Sequence, residues 1–287
     1  MRLIVDSGST KSDWVLIDEN QNQLNFSTIG FNPYFHDAQF IARHIKLNEE
    51  LYAQRENIEV LNYYGAGCSS KDLNVIVYNA LRRIFVFAEI TVDHDLTACA
   101  YSTYEGEPSI SCILGTGSNS CFFDGDKVFE EVPALAYILG DEGSGSYYGK
   151  KILSEFLYKR MPKHIYDDFK NTFNLSKTEI LENVYMKPHA NVYIASFMKF
   201  ISNHRDDTYF KDMIFEGMKH FMSIHVCCYK NFKDVKTHFI GSIGHYFKEE
   251  LTAAAEVLGV NVGSVVKKPI NGLVHYHLNY HSRKIGA

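Results

Sequence analysis

Three short segments of the chain each join an apolar run to a turn of small residues, which is the composition of a phosphate-binding loop. Residues 3–11 read LIVDSGSTK, residues 113–119 read ILGTGSN, and residues 239–244 read FIGSIG. Glycine lets backbone N–H groups approach phosphate oxygens closely, because it has no Cβ and tolerates positive φ. A single such turn is an ordinary way to end a strand, but three in one chain favour a nucleotide held from several sides.

The side chains of these turns match the needs of a magnesium-bound polyphosphate. Ser9, Thr10 and Thr116 offer hydroxyl donors, and the ammonium group of Lys11 can reach the outer phosphates. Asp6 cannot bind phosphate itself, but its carboxylate suits Mg²⁺, usually through water, because magnesium prefers hard oxygen ligands and keeps much of its hydration shell. The sequence therefore predicts a nucleotide site with Mg²⁺.

The apolar pattern places these turns at strand ends in two similar halves. The first half has the predicted order βββαβαβα. Its elements are strands at 2–7, 13–18 and 23–28, a helix capped by Asp37, a strand near 58–64, a helix at 71–87, a strand at 89–93 and a short helix after Asp95.

The same order begins again near Ile110. Its predicted elements are strands near 109–114, 119–124 and 127–131, a helix at 144–158, a strand at 236–241, a helix at 245–258, a strand at 261–266 and a last helix from Ile270. A mostly helical insertion at 162–234 has amphipathic stretches at 177–186, 191–203 and 207–229. This duplication predicts two α/β domains, at 1–106 and 107–269, with a cleft between them that the glycine turns face. The C-terminal helix 270–287 is a candidate addition to the first domain.

Composition narrows the class of protein. A chain of 287 residues, 46% hydrophobic and 14% aromatic, can bury two sizeable cores. The net charge of −5 comes without a long basic run, so we do not expect nucleic-acid binding. We see neither a signal-peptide pattern nor an apolar run long enough for a bilayer, and we therefore expect a cytoplasmic protein without membrane contact.

The motifs resemble those of the actin-like ATPase superfamily, in which sugar kinases share a duplicated ribonuclease H-like domain. Within it, the chain is most similar to the N-acetylglucosamine kinase group of the BadF/BadG/BcrA/BcrD ATPases. Residues 6–12 (DSGSTKS) resemble the first phosphate motif of that family, 115–119 (GTGSN) the second, and 140–145 (GDEGSG) the substrate loop. Residues 30–33 (GFNP) resemble the loop with the family's sugar-binding asparagine, and 239–243 (FIGSI) the adenosine motif.

This resemblance covers most of the chain and implies two mixed five-stranded βββαβαβα cores. It also implies an ATP-dependent, Mg²⁺-requiring phosphorylation of an amino sugar, with N-acetylglucosamine and its 6-phosphate as the leading expectation. The implied phosphate-binding residues are Ser9, Thr10, Lys11, Thr116 and Gly117. The implied adenosine-binding residues are Gly241 and Ser242, and the implied sugar-binding residues are Asn32, Asp95, Ser118, Asn119 and Asp141.

Phosphoryl transfer also needs a carboxylate that orients the sugar hydroxyl and accepts its proton. Asp95 is the candidate base, because it follows a predicted strand and precedes an apolar helix. The resemblance implies the same position, although residues 94–98 (HDLTA) match the family's Asn-Asp-Ala-Ala-Gly only in part. Asp93 is an alternative base, and either aspartate could instead only cap the helix.

The chain departs from the family pattern just before the substrate loop. Residues 133–136 read PALA where the family often has Gly-Gly-Trp-Gly. The acceptor is therefore left open between N-acetylglucosamine, glucosamine and a bulkier amino sugar. Glu142 either contacts the sugar or bonds backbone at the start of the next helix. The insertion at 162–234 either forms a homodimer face or completes the adenine pocket.

Two other functions stay open. An activator ATPase of a 2-hydroxyacyl-CoA dehydratase would need an iron–sulfur cluster at a dimer interface, held by clustered thiolates. Cys99 and Cys121 are instead scattered single cysteines. A non-catalytic sensor of sugar or nucleotide is the other alternative, although Asp95 together with three phosphate turns argues against it.

Overall fold

The computed structural model describes residues 1–8 and 10–281, with His281 as backbone only. Two of the predictions therefore lie partly outside the described residues: the phosphate contact of Ser9 and the end of the helix 270–287. The chain divides into two compact units. The first comprises Met1–Gly106 and the chain from Lys268 onward, and the second comprises Glu107–Lys267.

The first unit is built on a mixed five-stranded sheet. Its strands are β1 (Arg2–Ser7), β2 (Lys11–Ile17), β3 (Gln23–Ile29), β4 (Val60–Gly65) and β5 (Glu89–His94), in the order β3-β2-β1-β4-β5. The pairs β1–β2 and β2–β3 are antiparallel, whereas β1–β4 and β4–β5 are parallel. Leu3 and Val5 pack in one core and Ile4 in another. The middle of strand β1, residues 3–5, is continuously apolar because both of its faces are covered.

Helices cover both faces of this sheet. They are α1 (Ala38–Lys46), α2 (Glu49–Ala53), α3 (Lys71–Arg82), α4 (Asp95–Ser102) and α14 (Ile270–Tyr276), and α14 continues into a π-helical turn, His277–His281. Asp37 caps α1 as predicted, since its carboxylate accepts the N–H of Phe40 at 2.7 Å. Helix α14 packs closely on α4, because a Cβ on Gly272 would lie 2.0 Å from the carbonyl oxygen of Ser102. The C-terminal segment thereby belongs to the core of the first unit.

The second unit repeats the sheet. Its strands are β6 (Ser109–Leu114), β7 (Ser118–Phe123), β8 (Val128–Phe129), β9 (Lys236–Ile240) and β10 (Val262–Val266), in the order β10-β9-β6-β7-β8. The antiparallel and parallel pairings occur in the same sequence as in the first unit. The predicted duplicated α/β fold with mixed five-stranded sheets is therefore confirmed.

Strand β8 is shorter than the predicted 127–131. The carboxylate of Asp124 accepts the N–H groups of Asp126 and Lys127, both at 2.7 Å, which closes a tight turn before the strand. The chain leaves the sheet after Phe129, where two glutamates precede Pro133. Proline cannot donate a ladder hydrogen bond, so the edge strand ends early.

The remaining helices of the second unit follow the prediction with two interruptions. They are α5 (Ala136–Leu139), α6 (Gly145–Leu157), α7 (Lys163–Phe173), α8 (Lys177–Tyr185), α9 (Ala190–Ser196), α10 (Met198–Asn203), α11 (Thr208–His225), α12 (Ser242–Tyr246) and α13 (Lys248–Leu258). The predicted helix 191–203 divides at Phe197, and the predicted helix 245–258 divides at Phe247, whose ψ is 41°. Both phenylalanines are buried, so the apolar periodicity continues across each break and conceals it.

Aromatic side chains of the insertion pack against one another within the core of the second unit. Phe169 lies 5.7 Å from Phe197 and 5.1 Å from Phe200 between ring centroids, and Phe173 packs 4.9 Å from Phe197. The aromatic residues that distinguish this part of the sequence are therefore largely explained by internal packing. No helix within 1–8 and 10–281 combines the length and apolarity that crossing a membrane requires.

Candidate active site

Two aspartates face the same side of the first sheet. Asp6 of β1 pairs with Asp13 of β2 in the antiparallel register, so both side chains project from one face. Asp13 contacts two ammonium groups, Lys11 Nζ at 2.7 Å and Lys268 Nζ at 2.8 Å. Burial by itself would raise the pKa of Asp13, but the hydrogen bonds from these lysines outweigh it and leave the pKa below its ordinary value.

The pKa of Asp6 moves in the opposite direction. Burial raises it from 3.8 to about 7, the negative charges of Asp95 and Asp13 add to the rise, and the more distant charge of Lys268 opposes it. Among the described residues Asp6 makes no ion pair, and the charge of Lys268 offsets the effect of burial only in part. A hydrated Mg²⁺ would supply further positive charge, so the residues present fit a magnesium ion.

A magnesium ion at this position would depend on a single protein carboxylate. Over the described part of the chain, no three His, Cys, Asp or Glu side chains are grouped as ligands for a metal. Magnesium bound together with a nucleotide commonly uses one or two carboxylates, substrate phosphates and water, rather than a cage of protein ligands. Asp6 is compatible with that mode of binding.

Lys268 was missed by the sequence reasoning. It lies between β10 and α14, 255 residues from Asp13, and no phosphate motif surrounds it. The one local sequence feature that could have identified Lys268 is the pair of lysines before Pro269, at the start of the last helix. Only the packing of α14 on the first unit explains how a second cation reaches the acidic pair.

Asp95 is the first residue of α4 and directly follows β5. Its Oδ1 lies 3.0 Å from Nδ1 of His94, and its side chain is 30% exposed. Because its charge raises the pKa of Asp6, the predicted base and the predicted magnesium ligand lie within electrostatic range of each other.

The residue that caps α4 is His94, not an aspartate. The N–H of Leu96 donates to Nδ1 of His94 at 3.1 Å. The carboxylate of Asp93 accepts the N–H of His94 at 2.7 Å, and its charge acts on Cys68 and Tyr64. The side chain of Asp95 is therefore not needed to satisfy the start of the helix.

Asn32 lies in a loop anchored to β1. The N–H of Phe31 donates to the hydroxyl oxygen of Ser7 at 3.2 Å, which holds the loop at the end of the strand. The side-chain oxygen of Asn32 accepts the N–H of Tyr34 at 3.0 Å. A Cβ on Gly67, whose φ is +80°, would lie 2.4 Å from that oxygen. The amide is thus confined by a turn and by a glycine that leaves room for it.

In the second unit, the turn after β6 is joined to the start of α6. The N–H of Gly145 donates to the carbonyl of Gly115 at 2.8 Å, and the N–H of Ser146 donates to the carbonyl of Thr116 at 3.0 Å. A Cβ on Gly117 would lie 2.9 Å from Asp141 Oδ1. The second phosphate motif and the substrate loop, separate in sequence, are therefore neighbours in space.

Asp141 lies between these two segments. Its Oδ1 accepts the N–H of Ser118 and its Oδ2 accepts the hydroxyl of Ser146, both at 3.1 Å. Burial raises the pKa of Asp141, while these two hydrogen bonds oppose the rise. Its carboxylate holds the loops together, whatever further contact it makes.

Ser118 and Asn119 are also held by protein groups. The hydroxyl of Ser118 donates to the carbonyl of Glu142 at 2.8 Å, and Nδ2 of Asn119 donates to Glu130 at 3.1 Å. Both residues are buried. Ser118 and Asp141 are thus joined by a hydrogen bond, and Asn119 is held separately by Glu130, so each of these side chains is restrained before a ligand binds.

The predicted adenosine motif meets the second phosphate motif. Gly241 has φ +124°, and a Cβ there would lie 2.2 Å from the carbonyl oxygen of Leu114. Ser242 follows as the first residue of α12. The ends of β6 and β9 therefore bring Thr116, Gly117, Gly241 and Ser242 to one edge of the second sheet.

Comparisons with known structures show proteins of similar overall fold. The structure is similar to that of the putative N-acetylglucosamine kinase from Porphyromonas gingivalis, with 34% identity, 98% of this chain and 100% of that chain covered, and a TM-score of 0.92. It is also similar to the putative N-acetylglucosamine kinase from Chromobacterium violaceum, with 14% identity, 96% and 98% of the two chains covered, and a TM-score of 0.72.

A third similar structure is a ROK family glucokinase from Streptomyces griseus in complex with glucose and AMPPNP. Its identity is 14%, the coverage is 96% of this chain and 97% of that chain, and the TM-score is 0.55. At this identity the likeness shows a shared fold. No protein-family model and no curated protein match the chain.

Proposed function

Because the chain belongs to the N-acetylglucosamine kinase-like group of the BadF/BadG/BcrA/BcrD ATPase family, we propose that it transfers the γ-phosphoryl group of ATP to a hydroxyl of an amino sugar. The observation that carries this proposal is that the charge of Asp95 acts on the buried carboxylate of Asp6 and raises its pKa. In the part of the chain that the structure describes, Asp6 makes no ion pair, and Asp95 lies at a strand-to-helix junction within electrostatic range of it. Phosphoryl transfer requires a metal ligand and a base with this proximity.

In the proposed reaction, Asp95 accepts the proton of the attacking sugar hydroxyl. The sugar oxygen forms a bond to the γ-phosphorus, the bond from that phosphorus to the β–γ bridging oxygen breaks, and ADP leaves with the bonding electrons. Nδ1 of His94 lies 3.0 Å from Asp95 Oδ1, but it already accepts the N–H of Leu96, which leaves the carboxylate of Asp95 able to accept a proton. We assign the base to Asp95 rather than Asp93, because, of these two aspartates, it is Asp95 whose charge contributes to the raised pKa of Asp6.

The phosphates and metal are proposed to be held as follows. Asp6 is the residue that would hold Mg²⁺ through water, and the ion would supply positive charge to the β- and γ-phosphates. Lys11 and Lys268 exchange part of their contact with Asp13 for contact with phosphate oxygens. Donors from residues 9–10 and 116–117 complete the phosphate contacts, and Gly241 and Ser242 lie along the adenosine.

The acceptor is proposed to be N-acetylglucosamine, phosphorylated on its 6-hydroxyl. Asn32 in the first unit and Ser118, Asn119 and Asp141 in the second supply amide, hydroxyl and carboxylate groups for its hydroxyls. Hydrogen bonds of this kind distinguish sugars strongly, because a missing partner leaves a buried polar group unpaired.

A coupled assay of ADP release tests the proposal. Wild-type protein is given Mg-ATP with N-acetylglucosamine, glucosamine, N-acetylmannosamine or glucose, and the product position is identified by NMR. We expect Asp95→Asn to lower kcat by about 10²–10⁴-fold, since that is the usual contribution of a general base. Asp93→Asn is the matched control and should retain activity within about tenfold.

The same assay separates the alternatives. ATP hydrolysis at a rate that no sugar changes would favour an activator ATPase. Sugar binding measured by calorimetry, without turnover, would favour a sensor. Full activity of Asp95→Asn would remove the base assignment. Phosphorylation of glucose in preference to all three amino sugars would overturn the substrate class.

A further inference from the structure

The last helix of the insertion packs against the substrate loop without space between them. Gly143 of the loop has φ +67°, and a Cβ there would lie 2.9 Å from Cβ of Phe221 in α11. Gly217 of α11 is similarly confined, because a Cβ on it would lie 2.4 Å from the ring of Tyr148 in α6. Two glycines, one on each side, therefore let α11 approach the loop and the helix that follows it.

A histidine at the end of α11 contacts a carboxylate of that loop. Nε2 of His225 lies 3.3 Å from Oε2 of Glu142, and the two side chains are 4% and 15% exposed. The imidazole stacks on the ring of Phe221, with 5.0 Å between centroids and an interplanar angle of 22°. The backbone of the same histidine is fixed as well, because its carbonyl accepts the hydroxyl of Ser120 at 2.6 Å.

The donors and acceptors of His225 and Glu142 determine which side chain donates the hydrogen bond between them. An ionised carboxylate only accepts hydrogen bonds. Nε2 of His225 therefore carries a hydrogen and donates it in a hydrogen bond to Glu142. Nδ1 of His225 is buried and has no hydrogen-bond partner among the described residues. A ring that donates through Nε2 leaves Nδ1 as an acceptor, whereas a second proton would place an unpaired donor in the interior.

Glu142 and its neighbour Asp141 differ in how many of their carboxylate oxygens already accept hydrogen bonds from the protein. Both oxygens of Asp141 accept protein donors. Within the described chain, the carboxylate of Glu142 has one hydrogen-bond partner, His225, and only its Oε2 is used. Oε1 of Glu142 is therefore available to accept a hydroxyl of a ligand, while Oε2 is held in place from behind.

We propose that Glu142 contacts the acceptor sugar through Oε1 and that His225 is its positioning residue. By this assignment, the insertion acts on the sugar subsite through the contact of α11 with the loop. The inference rests on the proposed kinase function and adds a specificity determinant to it. The ligand chemistry is a hydroxyl donor on the sugar, because an ionised carboxylate oxygen can only accept a hydrogen bond.

The test compares variants in steady-state kinetics and in sugar binding. His225→Phe fills the same space but cannot donate, and we expect it to raise the sugar KM at least tenfold while kcat and the ATP KM change less than threefold. His225→Gln keeps a donor and should recover part of the loss. His220→Phe is the matched control, because His220 lies on the same helix with an exposed side chain.

A double-mutant cycle distinguishes positioning from a structural role. If His225 acts through Glu142, His225→Phe should add little to the loss already caused by Glu142→Gln. Additive losses would overturn the inference, as would an unchanged sugar KM in His225→Phe. So would a fall in kcat and ATP affinity together with a lowered thermal midpoint, because this indicates general damage to the fold.

The measurements also distinguish failure of this inference from failure of the proposed kinase function. If the wild type phosphorylates a sugar and the His225 variants match it, the inference fails alone. If the wild type binds a sugar without turnover, the ratio of dissociation constants between wild type and His225→Phe tests the inference, and a ratio near one overturns it. If no sugar binds to the wild type, both proposals fall together.

Discussion

Asp6 and Asp13 occupy paired positions on adjacent antiparallel strands, yet their electrostatic surroundings are opposite. Asp13 is bound by Lys11 and Lys268, and its pKa is lowered. Asp6 has a pKa raised to about 7 by burial and by the charges of Asp95 and Asp13. One aspartate of the pair thus stabilises the unliganded protein as an anion, and the other is costly as an anion until a cation binds.

This difference predicts that Asp6→Asn stabilises the unliganded protein at alkaline pH. The unfolded chain releases this proton near the ordinary pKa of 3.8, whereas the folded protein keeps it up to about pH 7. The free energy of unfolding therefore falls as pH rises between these values, and the loss persists above pH 7. Each pKa unit corresponds to roughly 1.4 kcal/mol, so the gain in Asp6→Asn at pH 8 is at most about 4 kcal/mol. It should vanish near pH 4.

Denaturant unfolding without nucleotide or Mg²⁺, at pH 4.5 and pH 8, measures this effect. Asp13→Asn is the control of opposite sign, because it removes an anion that two lysines stabilise. A lower stability of Asp6→Asn than wild type at pH 8 would contradict the electrostatic description of Asp6.

The same substitution should impair the use of magnesium. If Asp6 holds Mg²⁺ through water, Asp6→Asn is expected to raise the Mg²⁺ concentration for half-maximal activity by about 10–100-fold, as is usual for outer-sphere ligands. Initial rates across a Mg²⁺ titration at fixed ATP give the value. Asp18→Asn, in the turn after β2, should leave it unchanged. An unaltered Mg²⁺ dependence in Asp6→Asn would place the metal elsewhere.

Lys268 is predicted to contribute to nucleotide binding. Lys268→Ala should raise the KM for ATP by about five- to tenfold, roughly 1–1.4 kcal/mol of binding free energy, because one of two cations beside Asp13 is lost. Lys267→Ala is the neighbouring control, since Lys267 instead lies 4.7 Å from the ring centroid of Tyr246. Equal effects of the two substitutions on the ATP KM would show that Lys268 has no particular role.

Gly241 is predicted to tolerate no side chain. Its φ of +124° and the 2.2 Å approach of a Cβ to the carbonyl of Leu114 combine strain with a backbone clash. Gly241→Ala should therefore lower the free energy of unfolding by more than about 1 kcal/mol. Gly115→Ala, where the nearest atom to a Cβ is 3.9 Å away, should cost much less. Thermal unfolding of both variants, each compared with wild type, decides between them.

Local sequence patterns were sufficient for the duplicated fold. The strands at 2–7 and 109–114 contain the continuous apolar runs 3–5 and 112–114, because both faces of a central strand are covered, and such runs are visible in the sequence alone. The glycine turns that end them are equally local. The division of helices at Phe197 and Phe247 was not predictable, because each break occurs beneath a buried aromatic ring that preserves the apolar period.

The sequence by itself determined which residue types end the strands, and so the candidate base Asp95, the candidate metal ligand Asp6 and the glycine turns. Only the tertiary structure decided the partners of these groups. Lys268 reaches Asp13 across 255 residues, and His225 reaches Glu142 across 83. Periodicity and turn propensity act over a few neighbouring residues, whereas the charge, burial and hydrogen bonding of a side chain depend on segments that meet only after the chain has folded.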